Sequence, residues 1–221
     1  MRAGVAVRAA FGVLLCLAAS AAAVAGGGAL DAYAHGDYAR ARSGFEAAAR
    51  GGDRLAQYNL AMMLLRGEGG PANAQQGAEW LTKAAQAGMA QAQYNLALLY
   101  EGGVGVERSL STATEWWQKA ALQGHTEAQV ELATQYFLGR GAPKDWKLAA
   151  RWYEAAAGNG DAGAQYIIGS FYEHGDGVAA DLRKALAWYV LAARQGDVGA
   201  AAQAKDVARR LAESAPRGSA P

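Results

Sequence analysis

Apolar, small and polar positions recur along residues 53–196 with a constant step of 36 residues and without an insertion. The clearest rows consist of tryptophans, alanines and glycines: Trp80, Trp116, Trp152 and Trp188; Ala56, Ala92, Ala128, Ala164 and Ala200; and Gly67, Gly103, Gly139 and Gly175. A period of this length predicts a solenoid of stacked helical units, because each unit can bury its apolar face only against its neighbours.

Each period predicts two helices joined by a glycine-rich turn, as residues 125–160 illustrate. The first half carries apolar residues at helical spacing, namely Ala128, Leu132, Ala133 and Tyr136. Thr126 and Gln129 fit a capping box at the start of this helix. A second helix is expected to begin after a capping side chain that every repeat provides at one register: Asn73, Ser109, Asp145 and Asp181.

The tryptophan row is predicted to supply the large apolar area at each junction between helices. Pairs of alanines, such as 120/121 and 156/157, let the backbones approach closely. If the tryptophans are buried in this way, replacing one by alanine should cost roughly 3–5 kcal/mol.

Repeat boundaries follow from these rows. Four full repeats are expected at 53–88, 89–124, 125–160 and 161–196. Residues 26–52 read as an N-terminal half repeat in which Gly44 stands at the tryptophan position and the first helix is shortened to about Ala29–His35. Residues 197–214 are predicted to form a capping helix, and 215–221 a disordered tail.

The N-terminus has the features of a secretory signal peptide over residues 1–25. Arg2 and Arg8 precede an uncharged run at 9–30, and Ala23-Val24-Ala25 fits the small-x-small cleavage rule. The sequence therefore predicts a periplasmic or secreted protein that does not insert in the membrane after cleavage. The alternative is an anchor formed by an uncleaved N-terminal segment.

Cysteine usage and charge narrow the class further. Cys16, the single cysteine, follows Leu15 rather than the small residue of a lipidation site, and cleavage would leave no disulfide in the mature chain. Removing residues 1–25 takes away two of the 21 Lys and Arg and none of the 20 Asp and Glu, so the net charge changes from +1 to −1. Such a balance gives no electrostatic reason to bind nucleic acid.

Candidate chemistry is absent from the sequence pattern. The three histidines have no metal-site spacing, and the glycine-rich turns lack the Lys-Ser/Thr of a phosphate-binding loop. We therefore expect a protein that is not an enzyme and uses no cofactor or metal.

The repeat strings identify a family resemblance. Ala-Gln-Tyr-Asn-Leu at 56–60 recurs at 92–96 and, in weaker form, at 164–168, and the string at 116–121, Trp-Trp-Gln-Lys-Ala-Ala, closes a unit. This pattern resembles the Sel1-like repeat, a relative of the tetratricopeptide repeat. The resemblance implies an all-α, right-handed α/α superhelix that acts as a protein-interaction scaffold in bacteria. It also implies that the first helices line a concave face.

Residues of the first helices that the core does not require are the candidate partner contacts. The eight selected on this basis are Tyr58, Asn59, Met62, Leu65, Tyr94, Asn95, Leu98 and Phe137. Their registers continue in later repeats, with Tyr166, Ile167 and Ser170 equivalent to Tyr58, Asn59 and Met62. Exposed together, the apolar members would form a groove for a helix or an extended peptide. The alternative is that they complete the packing between repeats.

Three functions remain open from the sequence. The first is an exported adaptor that binds a protein or peptide on the concave face. The second is a cell-wall or carbohydrate-associated accessory protein that uses the aromatic residues of the groove for stacking. The third is a hydrolase, which would need a nucleophile and a base within reach of each other.

Overall fold

The computed structural model describes residues 23–214, which form eleven α-helices and no strand. Most of the predicted signal peptide and the predicted tail at 215–221 lie outside the described residues. The chain divides into two compact units, Met1–Gln123 and Gly124–Pro221. Among residues 23–214, no helix combines the length and the hydropathy that crossing a membrane requires.

The described part of the first unit consists of three helical hairpins. Its helices are α1 Ala23–Ala34, α2 Tyr38–Arg50, α3 Arg54–Arg66, α4 Ala74–Gln86, α5 Ala90–Gly102 and α6 Leu110–Leu122. The second unit contains two hairpins and a longer last helix: α7 Thr126–Leu138, α8 Trp146–Gly158, α9 Ala162–His174, α10 Leu182–Arg194 and α11 Val198–Ser214. These hairpins repeat about every 36 residues, so the all-α repeat architecture expected from the sequence is confirmed.

Capping side chains begin the helices largely where the sequence places them. At the start of the second helices, Asn73, Ser109, Asp145 and Asp181 each accept a hydrogen bond from a backbone N–H of the first turn. The capping box expected at Thr126 is wrong, because His125 is the cap. Its Nδ1 accepts from the Ala128 N–H at 3.3 Å, and Thr126 is already helical.

Glycines end the first helices and allow the turns to pack closely. Gly175 closes α9 in the left-handed conformation with φ 82°, where a side chain would be strained. Gly177 lies so close to the start of α8 that an added Cβ would be 2.1 Å from the Trp146 carbonyl oxygen. The turn after α9 thus requires glycine at both positions.

The large side chains that the second helices bury in the core lie one residue after the predicted tryptophan row. Leu81, Trp117, Tyr153 and Tyr189 are at most 4% exposed. The expected tryptophan row lies beside them: Trp152 is 9% exposed, whereas Trp80, Trp116 and Trp188 are half-buried. Lys83 and Lys119 lie over the Trp80 and Trp116 rings at 3.8 Å, which a fully buried ring would not permit. The large cost predicted for tryptophan removal therefore belongs to Trp117.

A ladder of buried glutamines fastens successive helices together. In the second unit the Gln165 Nε2 donates to the Ala157 carbonyl oxygen at 3.1 Å, and its Oε1 accepts from the Gln195 Nε2 at 2.9 Å. Gln93 in the first unit donates to the Ala85 carbonyl oxygen at 3.0 Å and accepts from Gln123 at 2.7 Å. Each rung adds a side-chain hydrogen bond to a helix-end carbonyl that also accepts from a backbone N–H, Gly160 N–H for Ala157 and Gly88 N–H for Ala85.

The N-terminal half repeat packs more closely than a full repeat. A Cβ at Gly44 would lie 2.8 Å from the Ala29 Cβ, so glycine at the tryptophan register lets α1 approach α2. The helix α1 begins at Ala23 rather than near Ala29 as expected, and its first three residues, 23–25, belong to the predicted leader. The predicted cleavage point after Ala25 thus falls within its first turn.

Candidate partner-binding groove

An apolar groove opens between two successive first helices of the second unit, α7 and α9. It encloses about 490 Å³ of space, part of it open to solvent. Six side chains from α7, α8 and α9 line it: Phe137, Tyr153, Tyr166, Ile167, Ser170 and Phe171. Because α8 provides the floor through Tyr153, the groove faces away from the second helices.

Aromatic rings form a rigid floor and one end wall. The ring of Phe171 lies 5.8 Å from that of Tyr153 and 5.9 Å from that of Phe137. Phe137 also meets Trp146 edge-on, with ring centroids 4.9 Å apart. Lys144 lies over this end, its Nζ 4.7 Å from the Trp146 ring. Offset and edge-on aromatic contacts of this kind stabilise the packing beyond the area they bury.

One hydroxyl group of the groove, that of Tyr153, is engaged by a bond within the protein. The Tyr153 hydroxyl is 2.9 Å from the Thr134 hydroxyl on α7. Burial raises the pKa of Tyr153, the Thr134 hydrogen bond lowers it, and the Glu131 carboxylate raises it again. Glu131 therefore lies close enough to the groove for its charge to be felt there.

Ser170 and His174 form the one pairing of a hydroxyl with an imidazole at the groove rim among the described residues. The Ser170 Oγ is 3.4 Å from His174 Nδ1, one helical turn away. The same nitrogen lies 2.9 Å from the Ser170 carbonyl oxygen, which can only accept a hydrogen bond. Nδ1 therefore carries a proton in this contact and cannot take one from the serine. The pair lacks the geometry of a nucleophile and its base.

Residues at the equivalent positions three repeats earlier line a smaller, polar pocket in the first unit. It encloses about 270 Å³ and is lined by Tyr33, Phe45, Asn59, Met62, Met63, Arg66 and Glu68. Here Met62 occupies the register of Ser170, and Asn59 that of Ile167. The Tyr33 hydroxyl donates to Glu68 Oε2 at 3.0 Å and closes one side. The smaller side chain of Ser170, compared with Met62, thus distinguishes the open groove from the closed pocket, and Ile167 in place of Asn59 makes the groove more apolar.

Four of the eight sequence-predicted contact residues are buried: Tyr58, Asn59, Met62 and Asn95. The Asn95 amide donates to the Tyr58 hydroxyl at 3.0 Å and lies 3.7 Å from the Met62 sulfur. These three side chains form a polar contact between α3 and α5, so little of their surface faces solvent. The Asn59 Nδ2 is buried and has no hydrogen-bond partner among residues 23–214.

The other four predicted residues are partly exposed. Leu65 packs against α4, where a Cβ at Gly77 would lie 2.8 Å from the Leu65 Cγ. Tyr94 and Leu98 are half-buried on α5, and Phe137 lines the open groove. Phe137 is joined there by Tyr166, Ile167 and Ser170, which share registers with the predicted set.

Sequence reasoning missed Tyr153 and Phe171. Both fall on apolar faces with core spacing, so the pattern assigns them to the interior, and both are indeed 4% exposed. Both nevertheless line the groove. The signal that could have found them is the smaller residue nearby, since Ser170 follows large residues at the equivalent position of the first two repeats, Met62 and Leu98.

Two tyrosines beside the groove are held neutral by carboxylates. The Tyr172 hydroxyl donates to Glu154 Oε1 at 2.8 Å, and burial together with this bond raises the pKa of Tyr172 to about 12. The Tyr189 hydroxyl donates to Glu173 Oε2 at 2.8 Å, and burial followed by this bond raises the pKa of Tyr189 further. Arg210 of α11 binds the other oxygen of Glu173, so the last helix is fastened to α9 by an ion pair. Within residues 23–214 no three His, Cys, Asp or Glu side chains group in a way that could hold a metal ion.

The fold and the groove define a class of helical-hairpin repeat protein whose first helices carry the variable surface. The Sel1 repeat family model matches residues 54–89, 90–125, 126–161 and 162–197. The chain therefore belongs to the Sel1 repeat family.

Two solved structures are similar to this chain over 80% of its length. A Sel1 repeat protein from Oxalobacter formigenes is 33% identical with a TM-score of 0.75, and the match covers 73% of that protein. The protein c5321, a protective antigen of uropathogenic Escherichia coli with an SLR fold, is 29% identical with a TM-score of 0.76, and the match covers 38% of it. This chain thus spans less than half of that antigen. No functionally curated protein matches the chain.

Proposed function

We propose that this protein is an exported, non-enzymatic scaffold that binds a protein or peptide partner on the face formed by its first helices. Sel1 repeat proteins are generally protein-interaction scaffolds. The observation that carries the proposal is the open apolar groove between α7 and α9, lined by Phe137, Tyr166, Ile167 and Ser170 above an aromatic floor. Apolar surface that is concave and rigid is the usual site of partner binding.

Export is supported by the N-terminal pattern alone. The basic residues, the apolar stretch and the small residues at 23–25 are those of a cleavable leader. Intact-mass measurement of the full chain expressed in a Gram-negative host, with separate periplasmic and membrane fractions, tests this part. We expect cleavage after Ala25 and recovery of the protein from the periplasm. An uncut chain in the membrane fraction would show that the N-terminal segment is an anchor and not a cleaved leader.

The groove favours a protein or peptide over a carbohydrate. Sugars stack on open aromatic faces, but Tyr153 and Phe171 are each only 4% exposed. Phe137 and Tyr166 are half-buried, and the Tyr153 hydroxyl is engaged with Thr134. An apolar side chain entering from a partner makes better use of this surface than a hydroxylated ring.

The test is in vivo crosslinking of the full chain, followed by mass spectrometry, in the wild type and in Ser170→Met. Methionine at this register is accepted in the chain itself at Met62, so the variant should fold while its side chain fills the groove. Ser111→Met, on the exposed surface of α6, adds the same bulk elsewhere and is the control. A discrete partner captured by the wild type and by S111M but lost with S170M supports the proposal. If S170M still captures the partner, the groove is not the binding site.

A further inference from the structure

One rung of the glutamine ladder, at the junction of α7 and α8, is built with an asparagine. Asn159 stands at the register that Gln123 and Gln195 occupy in the neighbouring repeats. Its Nδ2 donates to the Gln129 Oε1 on α7 at 2.9 Å. Asn159 is followed by Gly160, and this is the only Asn-Gly pair in the sequence. The rung thus depends on an amide that is chemically labile.

An asparagine followed by glycine is prone to deamidation, because glycine has no side chain to hinder its backbone nitrogen. In this reaction the Gly160 nitrogen gives up its proton and bonds to the Asn159 Cγ, the Cγ–Nδ2 bond breaks, and ammonia leaves. Water then opens the succinimide ring at either of its carbonyl groups and gives aspartate or isoaspartate. The balance is one water consumed and one ammonia released, without an oxidant or a reductant.

The folded helix end opposes this reaction although both residues are exposed to water. Asn159 caps α8 with ψ 1°, so the Gly160 nitrogen points away from the side chain, and ring closure requires a large rotation about this bond. That rotation breaks the hydrogen bond from the Gly160 N–H to the Ala157 carbonyl oxygen at 3.0 Å. The side chain must also leave Gln129. Deamidation therefore requires the rung and the helix end to open.

Either product is incompatible with the rung. Aspartate has no amide protons, so its carboxylate would face the Gln129 Oε1 as acceptor against acceptor. Isoaspartate lengthens the main chain before Gly160, in the turn where the Asp161 N–H donates to the Ala156 carbonyl oxygen at 3.1 Å and Asp161 caps α9. Both products would loosen α7, α8 and α9, the three helices that line the groove.

We propose that Asn159 is a deamidation site gated by its own rung. The residue reacts when the bond to Gln129 opens, and the product prevents the rung from closing again. The modified chain accumulates with time in proportion to how often the α7–α8 junction opens. This property does not depend on which partner the groove binds.

The test incubates the full chain at mildly alkaline pH and follows the conversion of residue 159 from amide to acid by peptide mass spectrometry. A synthetic peptide of residues 155–163 gives the rate without the rung. The full chain is expected to react at least about tenfold more slowly than the peptide. Gln129→Leu removes the acceptor and is expected to accelerate the reaction about two- to tenfold, the effect of one hydrogen bond on the opening equilibrium.

Matched variants separate the rung from general loosening and test the effect of the product. Gln93→Leu removes the equivalent rung of the first unit and is expected to leave the rate at Asn159 unchanged. Asn159→Gln restores the residue of the neighbouring repeats and should keep the melting temperature. Asn159→Asp reproduces one product and should lower the melting temperature by about 2–4 °C. Circular dichroism shows whether Q129L keeps its helices, and the comparisons with the peptide and with N159D do not depend on that variant.

Three results would overturn the inference. Reaction of the folded wild type at the rate of the peptide would show that the structure does not gate the site. Equal acceleration by Q129L and Q93L would assign the reaction to unfolding of the whole chain. An N159D protein as stable as N159Q would show that the product does not disrupt the rung.

Discussion

The glutamine ladder allows a quantitative test of how one repeat is fastened to the next. Replacing Gln165 by Leu keeps much of the side-chain volume but removes both of its hydrogen bonds, to the Ala157 carbonyl and from the Gln195 amide. Gln195 is exposed and can turn to water, whereas Ala157 is 1% exposed. The Ala157 carbonyl still accepts from the Gly160 N–H, so the substitution removes two net hydrogen bonds worth about 0.5–1.5 kcal/mol each. The free energy of unfolding should therefore fall by about 1–3 kcal/mol, less what the apolar leucine recovers.

The chain supplies a matched control at Gln57. Its Nε2 donates to the Ala49 carbonyl at 3.3 Å, but Ala87 stands where the other repeats have the donor to its Oε1. Gln57→Leu should therefore cost about 1 kcal/mol less than Q165L. Conversely, Ala87→Gln should add a rung and stabilise α3 and α4.

Hydrogen exchange read by mass spectrometry is the suitable assay, because the units of a repeat protein need not unfold together. Protection should fall most in α8, α9 and α10 for Q165L. A double-mutant cycle of Q165L with Gln195→Ala should give a coupling of about 0.5–1.5 kcal/mol. If the two substitutions are additive, or if Q165L costs no more than Q57L, the ladder does not fasten the repeats as described.

Three further changes test other parts of the fold. In urea denaturation, Trp117→Ala should lower the free energy of unfolding by roughly 3–5 kcal/mol and Trp116→Ala by clearly less, because of the two only Trp117 is fully buried. Similar losses for the two variants would contradict the packing described above. Burial lowers the pKa of His125, and this effect is larger than the opposite effect of the Glu127 carboxylate. The stability contributed by the His125 cap is therefore present above the unfolded pKa of about 6.5 and is lost as the pH falls through the lower pKa of the folded state. His125→Asp should therefore stabilise the protein by about 1 kcal/mol and flatten the fall in melting temperature between neutral and mildly acidic pH, and an unchanged slope would exclude the histidine as its cause. Because the pKa of Tyr172 is raised to about 12, the stability contributed by its neutral hydroxyl is present below pH ~10 and is lost as the pH rises through 12. Glu154→Gln should move the ultraviolet titration of Tyr172 to lower pH, and an unchanged titration would show that Glu154 is not a cause of the shift.

Local features were the ones that the sequence could predict. Helix starts at Asp145 and Asp181 follow from cap chemistry that acts within a few residues, and helix ends follow from glycines that must adopt positive φ. The cap at His125 was missed because a histidine side chain accepts the bond only in its neutral form, which burial in the fold favours by lowering its pKa. That condition depends on the fold.

Features that depend on packing between helices were beyond the pattern. Trp116 and Trp117 are both apolar and differ by about a quarter turn, so periodicity alone does not decide which of them is buried. The candidate registers recur in every repeat, but only the structure distinguishes Met62, which closes a pocket, from Ser170, which leaves one open. Whether the eight predicted residues bind a partner stays a prediction.

The contrast between Met62 and Ser170 has a consequence for how such proteins diversify. The glutamine rungs, the caps and the turn glycines occupy registers different from the one held by Met62 and Ser170, so the framework of a repeat does not depend on the side chain at that register. The chain itself carries both outcomes, a filled junction at Met62 and an open one at Ser170. A duplicated repeat thus arrives already stable and can acquire a new specificity afterwards, which makes these hairpins interchangeable parts for designing binders as well as for evolving them.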